Sequence, residues 1–195
     1  MTQALLARHD RGVAPRPRDL YSCKSGIQIV KTGFRNQMDV NIAVRPEAVA
    51  LVRLENGTPL TKQAVLAQLS SRFSQVYGLD ASSILEGLEQ REALGSTGFG
   101  QGVAIPHCRS ADVKRPSLVL LKLDAPCDFA AADAMPVSLV FGLVSPENAG
   151  ATHLHALAAI SRLLRDEAMR HALLEADDAE ALYALLTNQF LRDAA

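Results

Sequence analysis

The chain of 195 residues has no tryptophan, only three cysteines and a formal charge of −1. Each scarcity excludes something. A net charge so near zero gives no electrostatic case for a nucleic-acid partner. The thiols Cys23, Cys108 and Cys127 are odd in number and follow no metal-ligand spacing. Reduced thiols in a cytoplasmic protein is the expected reading. The longest apolar runs are far too short to span a bilayer, so no membrane insertion is expected. The N-terminus lacks an apolar core of signal-peptide length, which argues against secretion. No internal repeat appears.

What is present describes one globular domain with a distinct leader. The composition is 48% hydrophobic and 21% charged, within the ordinary range for a chain that buries a substantial core. Charge is unevenly spread. Residues 1–37 carry seven basic groups (Arg8, Arg11, Arg16, Arg18, Lys24, Lys31, Arg35) against Asp10 and Asp19. Of the 20 basic and 21 acidic groups in the chain, 13 and 19 remain beyond residue 37, a net of −6. "GVAPRPRD" holds two prolines and no sustained period, so residues 1–40 read as a basic, disordered extension and 41–193 as the domain. Met38 offers an alternative start.

From residue 42 the signals sharpen. "LTKQAVLAQLSSRF" repeats Val65, Leu66, Leu69, Phe73 and Val76 at helical spacing, with Thr61 as N-cap and Gly78 as terminator. Asp80 can cap a second helix carrying Ile84, Leu85 and Leu88, with Leu79 stapled against Ile84. "SLVLLKL" (117–123) and "PVSLVFGLV" (136–144) read as strands covered on both faces. "THLHALAAISRLLRD" reads as a third helix with Thr152 as a possible cap, and "RDEAMRHALLEA" and "DAEALYALLTNQF" as two more. This interspersion predicts an α/β domain with helices flanking a sheet.

The chemistry concentrates in "GSTGFGQGVAIPHCRS", residues 95–110. Four glycines fall within eight residues, and a run of exposed amides in such a loop can cradle an anion. Generic phosphate motifs fail on this stretch. A P-loop needs a lysine that is absent, and the dinucleotide fingerprint breaks at Val103. His107 is the useful side chain, because a neutral imidazole is a nucleophile near neutral pH. General base, metal ligand or loop residue are the other roles its type allows. Pro106 restricts Ile105 to extended geometry, which fits a strand end presenting His107 from a stiff support. His107, Cys108, His153 and His155 are all metal-ligand types, but a helix presents paired ligands at i and i+4 rather than i and i+2. No metal or other cofactor is expected.

"REALGSTGFGQGVAIPHCR" resembles the active-site segment of the type-2 (mannitol/fructose family) IIA domains of the bacterial phosphoenolpyruvate-dependent phosphotransferase system, and within them the nitrogen-regulatory branch. The likeness runs from about residue 42 to 190 and includes "PVSLVFGLVSP" and "THLHAL". It implies a single domain with a mixed β-sheet flanked by helices. It also implies that His107 is phosphorylated, through Nε2, by a phosphohistidine on a small HPr-like carrier. Arg91 matches the family's active-site arginine and His153 its second active-site histidine. The amides around Ser96, Thr97 and Gly98 are expected to share the phosphoryl charge, and His153 sits where the positive end of a helix dipole favours an anion. His155, about 200° around the helix, is expected to face elsewhere.

The resemblance leaves three roles. One is a regulatory phosphocarrier whose phosphorylation state controls targets such as potassium transport proteins or sensor kinases. Another is a sugar-transport IIA component passing phosphate to a fructose or mannitol IIB domain. The third is a binding module with an idle histidine. The absence of a IIB or IIC segment after Ala195 and the "GSTG" form favour the first. Cys108 departs from the family's usual small residue, most often glycine. It is expected to be inert, with an oxidation-sensitive site as the alternative.

Overall fold

The computed structural model describes residues 28–34, 37–53 and 60–192. The leading part of the basic extension, up to residue 27, lies outside the described residues. The described chain forms an eight-stranded sheet with five α-helices. The strands are β1 (Gln28–Phe34), β2 (Gln37–Val44), β3 (Val49–Val52), β4 (Gly98–Gly100), β5 (Val103–Ala104), β6 (His107–Ser110), β7 (Ser117–Cys127) and β8 (Val137–Pro146). The helices are α1 (Lys62–Tyr77), α2 (Ala81–Ala93), α3 (Gly150–Arg165), α4 (Glu167–Glu175) and α5 (Ala179–Arg192).

The long strands β7 and β8 pair antiparallel at the centre. Their apolar runs follow from that position, since most of their residues are buried on either face. On one flank β2 and β3 run parallel to β7, and β1 closes an antiparallel hairpin on β2. On the other flank β5 and then β6 run parallel to β8, with β4 outside β5. The sheet is therefore mixed, as expected.

Two apolar layers cover it. Strand residues such as Val103, Leu118, Leu120 and Leu143 pack under α3, α4 and α5. Their alternating neighbours, including Ala104, Cys108, Val119 and Val144, pack under α1 and α2. Alternation along each strand sends successive side chains to opposite layers. Phe73 of α1 is fully buried, a placement that contributes about 1.5–3 kcal/mol.

The caps follow the sequence closely on this side of the sheet. The Thr61 hydroxyl accepts from Ala64 N, the Asp80 carboxylate accepts from Ser83 N, and α1 ends at Gly78 with φ 72°. Leu79 and Ile84 are buried in the same layer. Two placements differ from expectation. The hairpin begins at Gln28, inside the span read as extension. Met38, Val40, Ile42 and Val44 do alternate with a period of two. The pattern is obscured in β1 by a register shift between Thr32 and Phe34. Helix α3 starts at Gly150 with Ala149 as N-cap and no side-chain cap bond, so Thr152 lies inside the first turn instead of capping it.

Candidate functional site

Pro106 separates β5 from β6 along the same edge of β8. Its lack of an N–H breaks the ladder, Ile105 N turns away to Thr97 O (2.9 Å), and Pro106 O still receives Leu143 N (2.9 Å). His107 is thus the first residue of β6 rather than the last of a strand. It faces the α3 layer, while its neighbour Cys108 faces α2. Both ring nitrogens of His107 are engaged. Nδ1 lies 2.8 Å from Ile105 O, and Arg91 Nε donates to Nε2 at 3.0 Å. A carbonyl only accepts and a guanidinium only donates. The ring is therefore neutral, with its proton on Nδ1 and its lone pair on Nε2. Burial is the chief reason its pKa lies below the usual histidine value. The Ile105 carbonyl opposes that shift, the Arg91 guanidinium adds to it, and the Glu92 carboxylate opposes it.

Arg91 arrives from the last turn of α2 and is also tethered by Nη1 to Gly95 O at 2.9 Å. His153 is the fourth residue of α3 and is buried, its ring centroid 5.4 Å from that of His107 at an interplanar angle of 49°. Its Nδ1 is buried with no hydrogen-bond partner among the described residues. Its pKa is lowered to about 4 by burial first, then by the charges of His107, Arg109 and Arg91. Arg91, His107 and His153, sixteen and forty-six residues apart, thus converge on one point. His155 is half-exposed two positions further along α3.

The glycine loop is arranged differently from expectation. Thr97 N bonds both oxygens of the Glu92 carboxylate (3.2 and 3.0 Å), and Thr97 Oγ1 donates to Oε2 at 2.6 Å. Lys62 Nζ closes an ion pair with the same carboxylate at 3.0 Å, where the Glu92 side chain is only 7% exposed. Ser96 Oγ donates to Phe129 O and accepts from Gly98 N at 3.0 Å. The Thr97 and Gly98 amides are therefore already committed. A Cβ at Gly98 would meet the Ala131 Cβ at 2.6 Å, so this glycine is set by close approach to the 128–136 loop.

Sequence reasoning missed Glu92 and Arg109. Glu92 has no basic residue three or four positions away, and its cation, Lys62, is thirty residues distant. Spacing rules cannot see such a pair. Arg109 shares the His107 face of β6 by simple alternation, a signal that was available. Cys108, by contrast, is buried against α2, its Sγ 4.0 Å from Ile84 O, and burial pushes its thiol up to about 12.

The mixed-sheet α/β domain thus holds a neutral histidine between an arginine and a second histidine. The chain belongs to the family "Phosphoenolpyruvate-dependent sugar phosphotransferase system, EIIA 2", whose model matches residues 48–189. It is 40% identical over 149 residues to a nitrogen regulatory protein of Bradyrhizobium diazoefficiens, covering 76% of this chain and 95% of that one. It is 42% identical over 140 residues to a nitrogen regulatory protein of Pseudomonas aeruginosa, covering 71% and 89%. The crystal structure of the nitrogen regulatory protein IIA-Ntr from Neisseria meningitidis superposes with a TM-score of 0.65 at 35% identity, covering 73% of this chain and 95% of that one. No helix among the described residues is long and apolar enough to cross a membrane.

Proposed function

We propose that this chain is a cytoplasmic phosphohistidine carrier of the nitrogen-regulatory kind, accepting a phosphoryl group on His107 Nε2 from an HPr-like carrier and controlling protein targets by its phosphorylation state. The observation that carries the reading is the pair of bonds on His107. They hold the imidazole neutral, with the Nε2 lone pair on Arg91 Nε and the ring 5.4 Å from that of His153. In the transfer, that lone pair forms the new N–P bond. The donor's N–P bond breaks, and its electron pair returns to the donor imidazole. The proton stays on His107 Nδ1 throughout, donated to Ile105 O, which keeps the phosphorylated ring oriented.

Arg91 must release Nε2 for this to happen, and its guanidinium then turns to the phosphoryl oxygens. His153 and the first amides of α3, which have no intrahelical partners, supply the rest of the compensation. Regulation of potassium transport proteins or sensor kinases is the form of control the family resemblance implies.

The test is phosphoryl transfer from phosphoenolpyruvate through enzyme I and an HPr-like carrier, read by intact mass. One acid-labile phosphate is expected on the wild type and none on His107→Ala. No phosphate from any cognate carrier overturns the reading. Rapid passage of the phosphate to a fructose or mannitol IIB domain would move it to sugar transport.

A further inference from the structure

A second cluster of cations lies away from His107, Arg91 and His153. A cavity of about 150 Å³ opens between the end of α1 and the segment joining β6 to β7, lined by Arg45, Tyr77, Asp112, Lys114, Arg115 and Ser117 among others. Arg45 is held in place there. Its Nη1 donates to Val76 O at 2.6 Å, and its guanidinium carbon stands 5.4 Å from the Tyr77 ring centroid. The Tyr77 hydroxyl is itself spent on Leu118 O (2.8 Å) and Ala43 O (3.1 Å). Yet the Nε of Arg45 is buried with no partner among the described residues.

That atom has almost no accessible surface, so it shows how closely the guanidinium is packed and not a contact open to the cavity. The feature that points to a ligand is the charge around the cavity. Arg45, Lys114 and Arg115 form no ion pair among the described residues, and Asp112 is the one acidic side chain lining the cavity. Three cations facing one carboxylate attract an anion, and two arginines offer forked donors of the kind that match phosphate oxygens.

We infer that this cavity is a binding site for a small phosphate-bearing anion, either inorganic phosphate or a low-molecular-weight phosphate monoester. It is separate from the phosphoryl site, because none of Arg91, His107 and His153 lines it.

The experiment is isothermal titration of the full chain at low ionic strength with inorganic phosphate, and separately with glycerol 3-phosphate. Saturable binding of at least one is expected, and the tighter of the two identifies the form the site takes. The double variant Lys114→Ala/Arg115→Ala should weaken that binding at least about tenfold, as loss of charge-assisted contacts implies. Arg91→Ala should leave it within about twofold, because that guanidinium belongs to the other site. Circular dichroism checks that the double variant is folded, and Lys114→Glu alone gives the same reading if it is not. The inference fails if neither compound saturates. It also fails if the double variant binds like wild type, or if binding disappears in Arg91→Ala while persisting in the double variant.

Discussion

The glycine loop and the start of α3 flank the same imidazole and are built in opposite ways. In the loop, the donors of Thr97 and Gly98 are satisfied before any ligand arrives, two of them by the buried Glu92 carboxylate. At the helix start there is no side-chain cap, and the His153 Nδ1 beside it is buried without a partner. A closed loop gives shape, whereas open donors give binding. On the proposed reading, an incoming phosphoryl group would find its compensation on the helix side, whereas on the loop side it would first have to displace a carboxylate. The loop also tethers Arg91, whose Nη1 donates to Gly95 O.

The sharpest break of this comparison is His153→Ala, the helix arm's own side chain. Loss of one positioned donor at a developing negative charge costs about 10²–10³-fold in rate. Phosphoryl transfer to His107 should slow by that order, with the fold retained. A variant that accepts phosphate at the wild-type rate, and keeps it as long, would move the compensation back to the loop.

The same residue should govern stability in weakly acid solution. His153 in the folded chain titrates at about 4 against an ordinary 6.5, so the unfolded chain binds the proton first. Its contribution is complete above 6.5 and is lost as pH falls towards 4. His107, also lowered, acts in the same direction. The exposed carboxylates Asp80 and Asp133 are depressed below 3.8 and act only at lower pH. Denaturant titrations across this range should show a falling slope that is shallower in His153→Gln, and a slope of equal steepness would remove His153 from the account.

How much of this was legible beforehand depends on range. Thr61, Gly78 and Asp80 act on residues within four positions, and the sequence displays them directly. Arg91, His107 and His153 were reached through a motif, not through spacing, since sixteen and forty-six residues of separation carry no local period. The loop's wiring was hidden for a different reason. Glycines signal backbone freedom but not which donors a distant carboxylate will occupy, and Glu92 becomes visible only once α2 and Lys62 of α1 are packed together. The helix start without a side-chain cap was likewise obscured, because Thr152 looked like a cap and the helix begins two residues before it.

On the loop side a smaller effect is expected. Glu92→Gln preserves shape and leaves one oxygen to accept from Thr97, but removes the charge facing Lys62. Disturbing a half-buried charged hydrogen bond costs about 1–3 kcal/mol, to be read as a lower denaturation midpoint. Phosphoryl transfer should fall by less than about tenfold, because the loop acts on Arg91 and not on phosphate. A loss as large as that of His153→Ala would show the loop to be an active arm.

Behind the site the smallest effect is expected, although the residue is the covalent neighbour of His107. Cys108 lies on the other face of β6, packed so closely on α2 that a Cβ at Gly87 would stand 3.1 Å from its own. With its thiol pushed up to about 12, almost no thiolate exists at neutral pH, and the thiolate is the form that peroxide attacks. Cys108→Ala should cost about 1 kcal/mol of stability and leave transfer to His107 unchanged. Peroxide treatment of the wild type should also leave the transfer rate as it was. If peroxide instead slows transfer and Cys108→Ala abolishes that sensitivity, the two faces of β6 communicate, and the site has a third side that neither the loop nor the helix supplies.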